Sequence, residues 1–291
     1  MPTFPGMPEP LFTCSPSRLD NWRSCPRKYR MTYLDSPSLP KGPPWAHNTM
    51  GAAIHNALRD WYSLPVEGRT PDSIASLVRV NWRDDGFRDE EQSFEALGRA
   101  IAWLQAYVAD LDPTIEPRGV ERTVSLTTDR LSLQGRVDRI DERDGELVIV
   151  DYKTGRSNLT DDDAATSLAL AIYAAAATRT LRMPCFQVEL HHLPTGEILE
   201  HRHTAESLAR HLHRADSIGQ EAQVAQREFK AGTVKPEEID QVFPPNPSRL
   251  CGYCDFLEHC PEGGATAQRA VAWIAIDERP HRHIVDMDLS I

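Results

Sequence analysis

Four aliphatic residues in a row, Leu147-Val148-Ile149-Val150, follow an Asp144-Gly145 turn signal and run straight into Asp151-Tyr152-Lys153. Such a run reads as a buried strand that emerges into charge. Upstream, residues 119–127 and 131–140 alternate or cluster β-formers, so the three segments read as a meander joined by tight turns. Residues 161–181 are Ala/Leu-rich and read as a helix. Two strands follow at 185–193 and 197–203 around Pro194-Thr195-Gly196, then a long polar helix at 204–230. Before the sheet, Ser15-Pro16 reads as an N-cap with proline at the first helical position. Cys25-Pro26 breaks that helix and can start another, and further helices are expected at about 48–63, 71–84 and 92–111. This order is that of an α/β or α+β domain with helical extensions. We expect a flexible segment 1–14, a single domain 15–262 and a tail 263–291. Within the domain, 15–117 is helical, 118–203 holds the sheet and its helix, and 204–262 holds a helix and a cysteine segment.

Alternation puts Asp151 and Lys153 on one face of their strand, and the turn brings Asp138 close to Asp151. Two carboxylates and an ammonium at the mouth of a sheet suit a divalent cation and a water. Oxygen ligands fit Mg²⁺ or Mn²⁺. Such an ion stabilises charge on a phosphoryl oxygen and makes water more acidic. Lys153 would orient that water or neutralise the developing negative charge. A surface ion pair on a hairpin has the same pattern. The apolar strand before Asp151 favours the site, as do Gly135 and Gly155, which bracket it and permit close backbone approach.

The segments Gly135-Arg136-Val137-Asp138-Arg139-Ile140-Asp141 and Asp151-Tyr152-Lys153-Thr154-Gly155 resemble the PD-(D/E)XK nuclease superfamily in its RecB-like exonuclease branch. The likeness extends upstream to Ser15-Pro16-Ser17-Arg18-Leu19, Trp22, Cys25-Pro26-Arg27-Lys28-Tyr29 and Gly51-Ala52-Ala53-Ile54-His55, and downstream to Cys251, Cys254 and Cys260-Pro261. It implies a restriction-endonuclease-like α/β fold: a central mixed sheet flanked by helices, its N-terminal helical segment tied to the cysteine segment by a metal cluster. By the same resemblance Asp138 and Asp151 are metal ligands, His55 a further ligand, Tyr152 a ligand through its carbonyl, and Lys153 the active-site lysine. Glu121 matches an acidic residue near the first strand of some members. The family's Q-x-x-x-Y helix is matched at Tyr173, but Ala169 stands at the glutamine position. The activity implied is metal-dependent exonucleolytic hydrolysis of DNA, single-stranded ends or flaps, in repair or recombination. A repair or helicase partner belongs to that reading. Trimming of DNA in CRISPR adaptation, and a non-catalytic binding module, are the alternatives.

Of six cysteines, Cys251, Cys254 and Cys260 form C-x2-C-x5-C, and Cys25 is the candidate fourth ligand. Four thiolates can hold zinc or a [4Fe–4S] cluster, and the spacing does not choose between them. The resemblance implies [4Fe–4S]. Cys14 and Cys185 read as ordinary side chains.

Acidic residues outnumber basic ones by 43 to 32, a net charge of −11, which argues against coating nucleic acid through bulk positive charge. The bases nevertheless cluster. Arg18, Arg23, Arg27, Lys28 and Arg30 share a short window with Asp20, interleaved with Trp22, Tyr29 and Tyr33. Cations that follow phosphates and rings that stack on bases suit a single strand, so Arg18, Trp22, Arg27 and Lys28 are candidate contacts. A solvated basic face over a buried aromatic core fits the same pattern. No run of about 18 apolar residues exists, and the first residues lack the order of a secretory signal. A cytoplasmic protein with no membrane contact is expected.

Overall fold

The computed structural model describes residues 11–155 and 159–276. The flexible segment expected at 1–14 falls mostly outside them, as do residues 277–291 of the expected tail. The helices are α1 (Pro16–Ser24), α2 (Pro26–Tyr33), α3 (Ala46–Tyr62), α4 (Pro71–Asn81), α5 (Glu90–Ala109), α6 (Asp161–Thr166), α7 (Leu168–Leu181), α8 (Ala205–Lys230), α9 (Ile239–Val242) and α10 (Pro261–Thr266). The strands are β1 (Phe12–Cys14), β2 (Gly119–Thr127), β3 (Leu131–Arg143), β4 (Glu146–Lys153), β5 (Cys185–His192) and β6 (Glu197–Arg202).

The fold is the expected one, a mixed sheet flanked by helices. Its order is β1-β3-β4-β5-β6, with β2 also paired to β3. β2 runs antiparallel along one edge of β3. The other edge takes β1 in parallel at Leu131–Leu133 and β4 in antiparallel at Arg139–Arg143. β4 and β5 are parallel, with α6 and α7 between them in sequence, and β6 returns antiparallel.

The opening aliphatic run is buried on both faces. Leu147 and Ile149 enter a core shared with α1, α2, α7 and α8, while Val148, Val150 and Tyr152 enter a second core with α3, α4 and α5. Ser15 caps α1, its hydroxyl accepting from the Arg18 amide at 3.2 Å. Three features differ from the sequence reading. Residues 12–14 form β1, which is too short to show a periodicity. The helix expected over 161–181 breaks at Ser167, whose hydroxyl caps α7. Residues 263–276, expected as tail, form α10 and a strap. The strap's Ala272 carbonyl accepts from the Ala46 amide at 3.0 Å, and its Trp273 and Ile276 join the second core.

At the end of the edge strand β6, His203 is only 3% exposed and lies against the rings of His201 and His211, with centroids 4.6 and 5.3 Å away. Burial, and then the neighbouring imidazoles, push its pKa down to about 4. A histidine with a depressed folded pKa binds its proton more readily when unfolded. Stability is therefore full above about pH 6.5 and falls as pH drops toward 4, by roughly 3 kcal/mol at the limit. Urea melts at pH 7 and pH 4.5 check this. His203→Asn should flatten the acid limb, and an unchanged limb would show that the loss arises elsewhere.

Candidate active site

The ladder between β3 and β4 ends at Arg139 and Val150. The next residues, Asp138 and Asp151, sit where the two strands diverge. The Tyr152 amide crosses that fork and donates to Asp138 Oδ2 at 2.9 Å. On the other side of β3, the register with β2 pairs Val120 with Arg139 and Arg122 with Val137, which sets Glu121 opposite Asp138. Glu121 has φ of +48°, a left-handed backbone that a glutamate adopts at a cost. α3 lies across this point and lowers His55 into it. His55 Nδ1 is 3.3 Å from Asp138 Oδ1 and 3.8 Å from Glu121 Oε1.

His55, Glu121 and Asp138 each offer a ligand atom, and these all lie within 4.8 Å of one another. Asp151 stands just outside that group. Its Oδ2 is buried, 2.7 Å from the Lys153 ammonium, yet has no partner in hydrogen-bond geometry. Burial raises the Asp151 pKa, the Lys153 charge opposes this, and Asp138 adds to it. Burial lowers the His55 pKa, but bonds to Asp138 and Glu121 overcome it and raise it to about 10. Carboxylates of Glu121 and Asp138 crowded this closely against an imidazole, with Asp151 and Lys153 beside them, fit a divalent cation. Its binding must displace the His55 proton if the imidazole is to ligate.

A sequence model of the PD-(D/E)XK nuclease superfamily matches residues 13–261. The chain belongs to that superfamily. It is a nuclease, and PD-(D/E)XK nucleases use divalent metals. Similar solved structures include a candidate exonuclease from Eubacterium rectale, at 10% identity and a TM-score of 0.46 over 76% of this chain and 82% of that one. Another is the protein SSO0001, at 13% identity and a TM-score of 0.39 over 89% and 90%. No curated protein matches.

Tyr173 on α7 reaches β3 where Gly135 has no side chain. A Cβ at Gly135 would stand 2.4 Å from the ring, which is the physical reason for glycine there. Burial, and then the Asp151 and Asp138 carboxylates, push the Tyr173 phenol up to about 12. Gly155 meets nothing within 4 Å of its would-be Cβ, so close approach is not its role. The cleft beside the metal-type cluster measures about 790 Å³ and is walled by α3, by Arg99 and Trp103 of α5, and by Ile276 of the strap.

The basic window behaves differently from the expectation. Trp22 is buried edge-on against Tyr29 and Phe243. Arg27 is buried, its guanidinium held by Asp240 at 2.9 Å and by Glu262, with Cys260 Sγ 3.6 Å away. Neither side chain is free to meet a strand. Their job is to dock α1 and α2 on the C-terminal segment. Lys28 and Arg18 are both half-buried.

Burial raises the Cys254 pKa, and the charge of Cys25 adds to it. Cys25, Cys251 and Cys260 each accept a backbone N–H at sulfur, from Lys28 at 3.5 Å, Ser248 at 3.3 Å and Gly263 at 3.4 Å. All six cysteines are free thiols, and among the described residues no three sulfurs lie within 4.8 Å of one another. His259, beside Cys260, is bonded to the Pro40 carbonyl at 3.0 Å. Burial pushes Cys14 and Cys185 up to about 12.

A buried network behind the site escaped the sequence reading. Arg139, 3% exposed, donates to the hydroxyls of Tyr62, Tyr107 and Tyr152 at 2.6, 2.9 and 3.3 Å and to Asp141 at 3.0 Å. Tyr107 continues to His191 at 2.8 Å, and His191 to Glu189 at 2.9 Å. His192 holds the Gly155 carbonyl at 2.6 Å, fixing the turn after Lys153. The only sequence signal was the arginine inside D-R-I-D.

Proposed function

We propose that this nuclease is a metal-dependent deoxyribonuclease, an exonuclease that hydrolyses phosphodiester bonds at single-stranded ends or flaps in repair or recombination. The observation that carries the reading is the convergence of His55, Glu121, Asp138, Asp151 and Lys153 at the β3/β4 fork. The order of the motifs along the chain supports the exonuclease branch. His55, Glu121, Asp138, Asp151 and the Tyr152 carbonyl would hold Mg²⁺ or Mn²⁺. When bound, the ion supplies positive charge to a phosphoryl oxygen and acidifies water. Lys153 orients the attacking water and offsets charge as it develops. The Tyr152 amide fixes the Asp138 carboxylate, and Tyr173 packs against β3 at Gly135. The test is cleavage of labelled single-stranded DNA with Mg²⁺ or Mn²⁺. Wild type should cut and Asp151→Asn should not; equal cutting by both would sink the assignment. Tight DNA binding with no cleavage under either metal would favour the non-catalytic module, the reading that Ala169 motivates.

The four cysteines Cys25, Cys251, Cys254 and Cys260 are assigned to a [4Fe–4S] cluster that staples α2 to the C-terminal segment. Three of the four sulfurs accept amide N–H bonds, which stabilise thiolate ligands. Zinc, at about 2.3 Å from each sulfur, would set them roughly 3.8 Å apart, and among the described residues no three of these sulfurs lie within 4.8 Å of one another. Protein purified without oxygen should be brown, with about four irons per chain. Cys25→Ser should lose the iron and lower the melting temperature, since structural metal contributes on the order of 10 kcal/mol in small domains. Colourless protein holding zinc would replace the cluster by the zinc alternative.

A further inference from the structure

A second hollow adjoins the active-site cleft, and Arg136 lines both. Arg136 lies two residues from Asp138 on β3, its guanidinium 2.6 Å from Glu121, and its side chain is 69% exposed. The hollow continues along β3 to Gln134 and across to the N-terminal elements, where Thr13, Ser15, Arg18 and Tyr33 complete it. Thr123 on β2 faces Arg136 across the ladder. Among the described residues no carboxylate lines this groove. In a chain with 43 acidic and 32 basic residues, this hollow is lined by two arginines and no carboxylate, with Glu121 pairing Arg136 only at the metal-site end.

The groove also has a ring. Tyr33 is 37% exposed, with its hydroxyl held by Asn21 at 2.9 Å. Arg18 is fixed rather than mobile. It donates to Gln226 at 2.5 Å and Tyr29 at 3.0 Å, and its guanidinium lies 4.8 Å from the Tyr33 ring centre. From Asp138 to Gln134 β3 advances about 13 Å, room for roughly two nucleotides of an extended strand.

We propose that a single nucleic-acid strand leaves the metal site over Arg136 and follows this groove, with phosphates on Arg136 and Arg18 and a base against Tyr33. The inference rests on the nuclease reading and names the strand path for it. Buried Trp22 and Arg27 have no part in the path. Positive charge at the groove attracts phosphates in spite of the net charge, because screening confines each interaction to about 10 Å.

The experiment is fluorescence anisotropy with a labelled single-stranded oligonucleotide, Ca²⁺ replacing Mg²⁺, across a salt series. Proteins compared are wild type, Arg136→Gln, Gln134→Glu and Gln220→Glu. Gln134 is exposed and lies away from the metal-type cluster, so its variant tests the groove without disturbing Glu121. Gln220 lies on α8 beside another hollow and controls for added charge. Arg136→Gln should weaken binding roughly fivefold at 0.1 M salt and flatten the salt slope by about 0.7, the loss of one phosphate contact. Gln134→Glu should weaken binding to a similar extent, and Gln220→Glu should not. Wild-type affinity and slope in both groove variants would overturn the path while leaving the nuclease reading intact. Wild type that fails to bind the strand would overturn it as well. If the groove variants weaken binding but wild type never cleaves with Mg²⁺ or Mn²⁺, the path stands and the nuclease reading falls.

Discussion

Lys153→Ala should lower kcat for phosphodiester cleavage by on the order of 10²–10³-fold, the effect of removing one preorganised charge from a developing anion. The fold should survive, because the Lys153 side chain is 44% exposed and, among the described residues, its ion pair is with Asp151. A second signature accompanies the loss. Lys153 holds the Asp151 carboxyl down against the burial that raises it. Without the ammonium, the Asp151 pKa rises further, and the acid limb of the pH–rate profile moves to higher pH. Lys153→Arg keeps the charge and should recover part of the rate. An unchanged kcat in Lys153→Ala, with an unmoved acid limb, would remove Lys153 from the chemistry.

Arg139→Met should destabilise the protein by about 3 kcal/mol, the low end for breaking a buried ion pair from one side. The cost arises because Asp141, only 7% exposed, loses its inner partner, and three tyrosine hydroxyls lose their shared donor. Arg143 also reaches Asp141, at 3.0 Å from the solvent side, which keeps the cost from being larger. For a chain of this size the loss corresponds to a fall of roughly 6–12 °C in melting temperature. Arg139→Met combined with Asp141→Leu should recover much of it, since no charge is left unpaired. Denaturant titration of the single and double variants checks both. A loss below about 1 kcal/mol in the single variant would show that the network adds little to stability.

The sheet was readable because its signals are local. A run such as Leu147–Val150 needs cover on both faces wherever it occurs, and the structure supplies it from two cores. The helix at α3 announces itself by apolar periodicity within its own span, α7 by its Ala/Leu content and α8 by a long polar run between a strand and a proline-rich segment. The ends were less legible. β1 has three residues and exists only because β3 offers it an edge. The strap at 267–276 has no periodicity of its own and is ordered by Ala46 and Gly252, distant in sequence.

By itself the sequence determined the fold class, the strand that presents Asp151 and Lys153, and the order of motifs that marks the superfamily. These follow from burial and alternation over a few residues. The tertiary structure decided which charges meet. It set Glu121 opposite Asp138, lowered His55 onto both, and joined Arg139 to tyrosines from α3, α5 and β4. It also buried Trp22 and Arg27, which by composition looked like a nucleic-acid surface, and left Arg136 exposed beside the site. A side chain's charge is written in the sequence, but its solvent and its partners are set by segments far along the chain. Electrostatic energy depends on both through dielectric and distance.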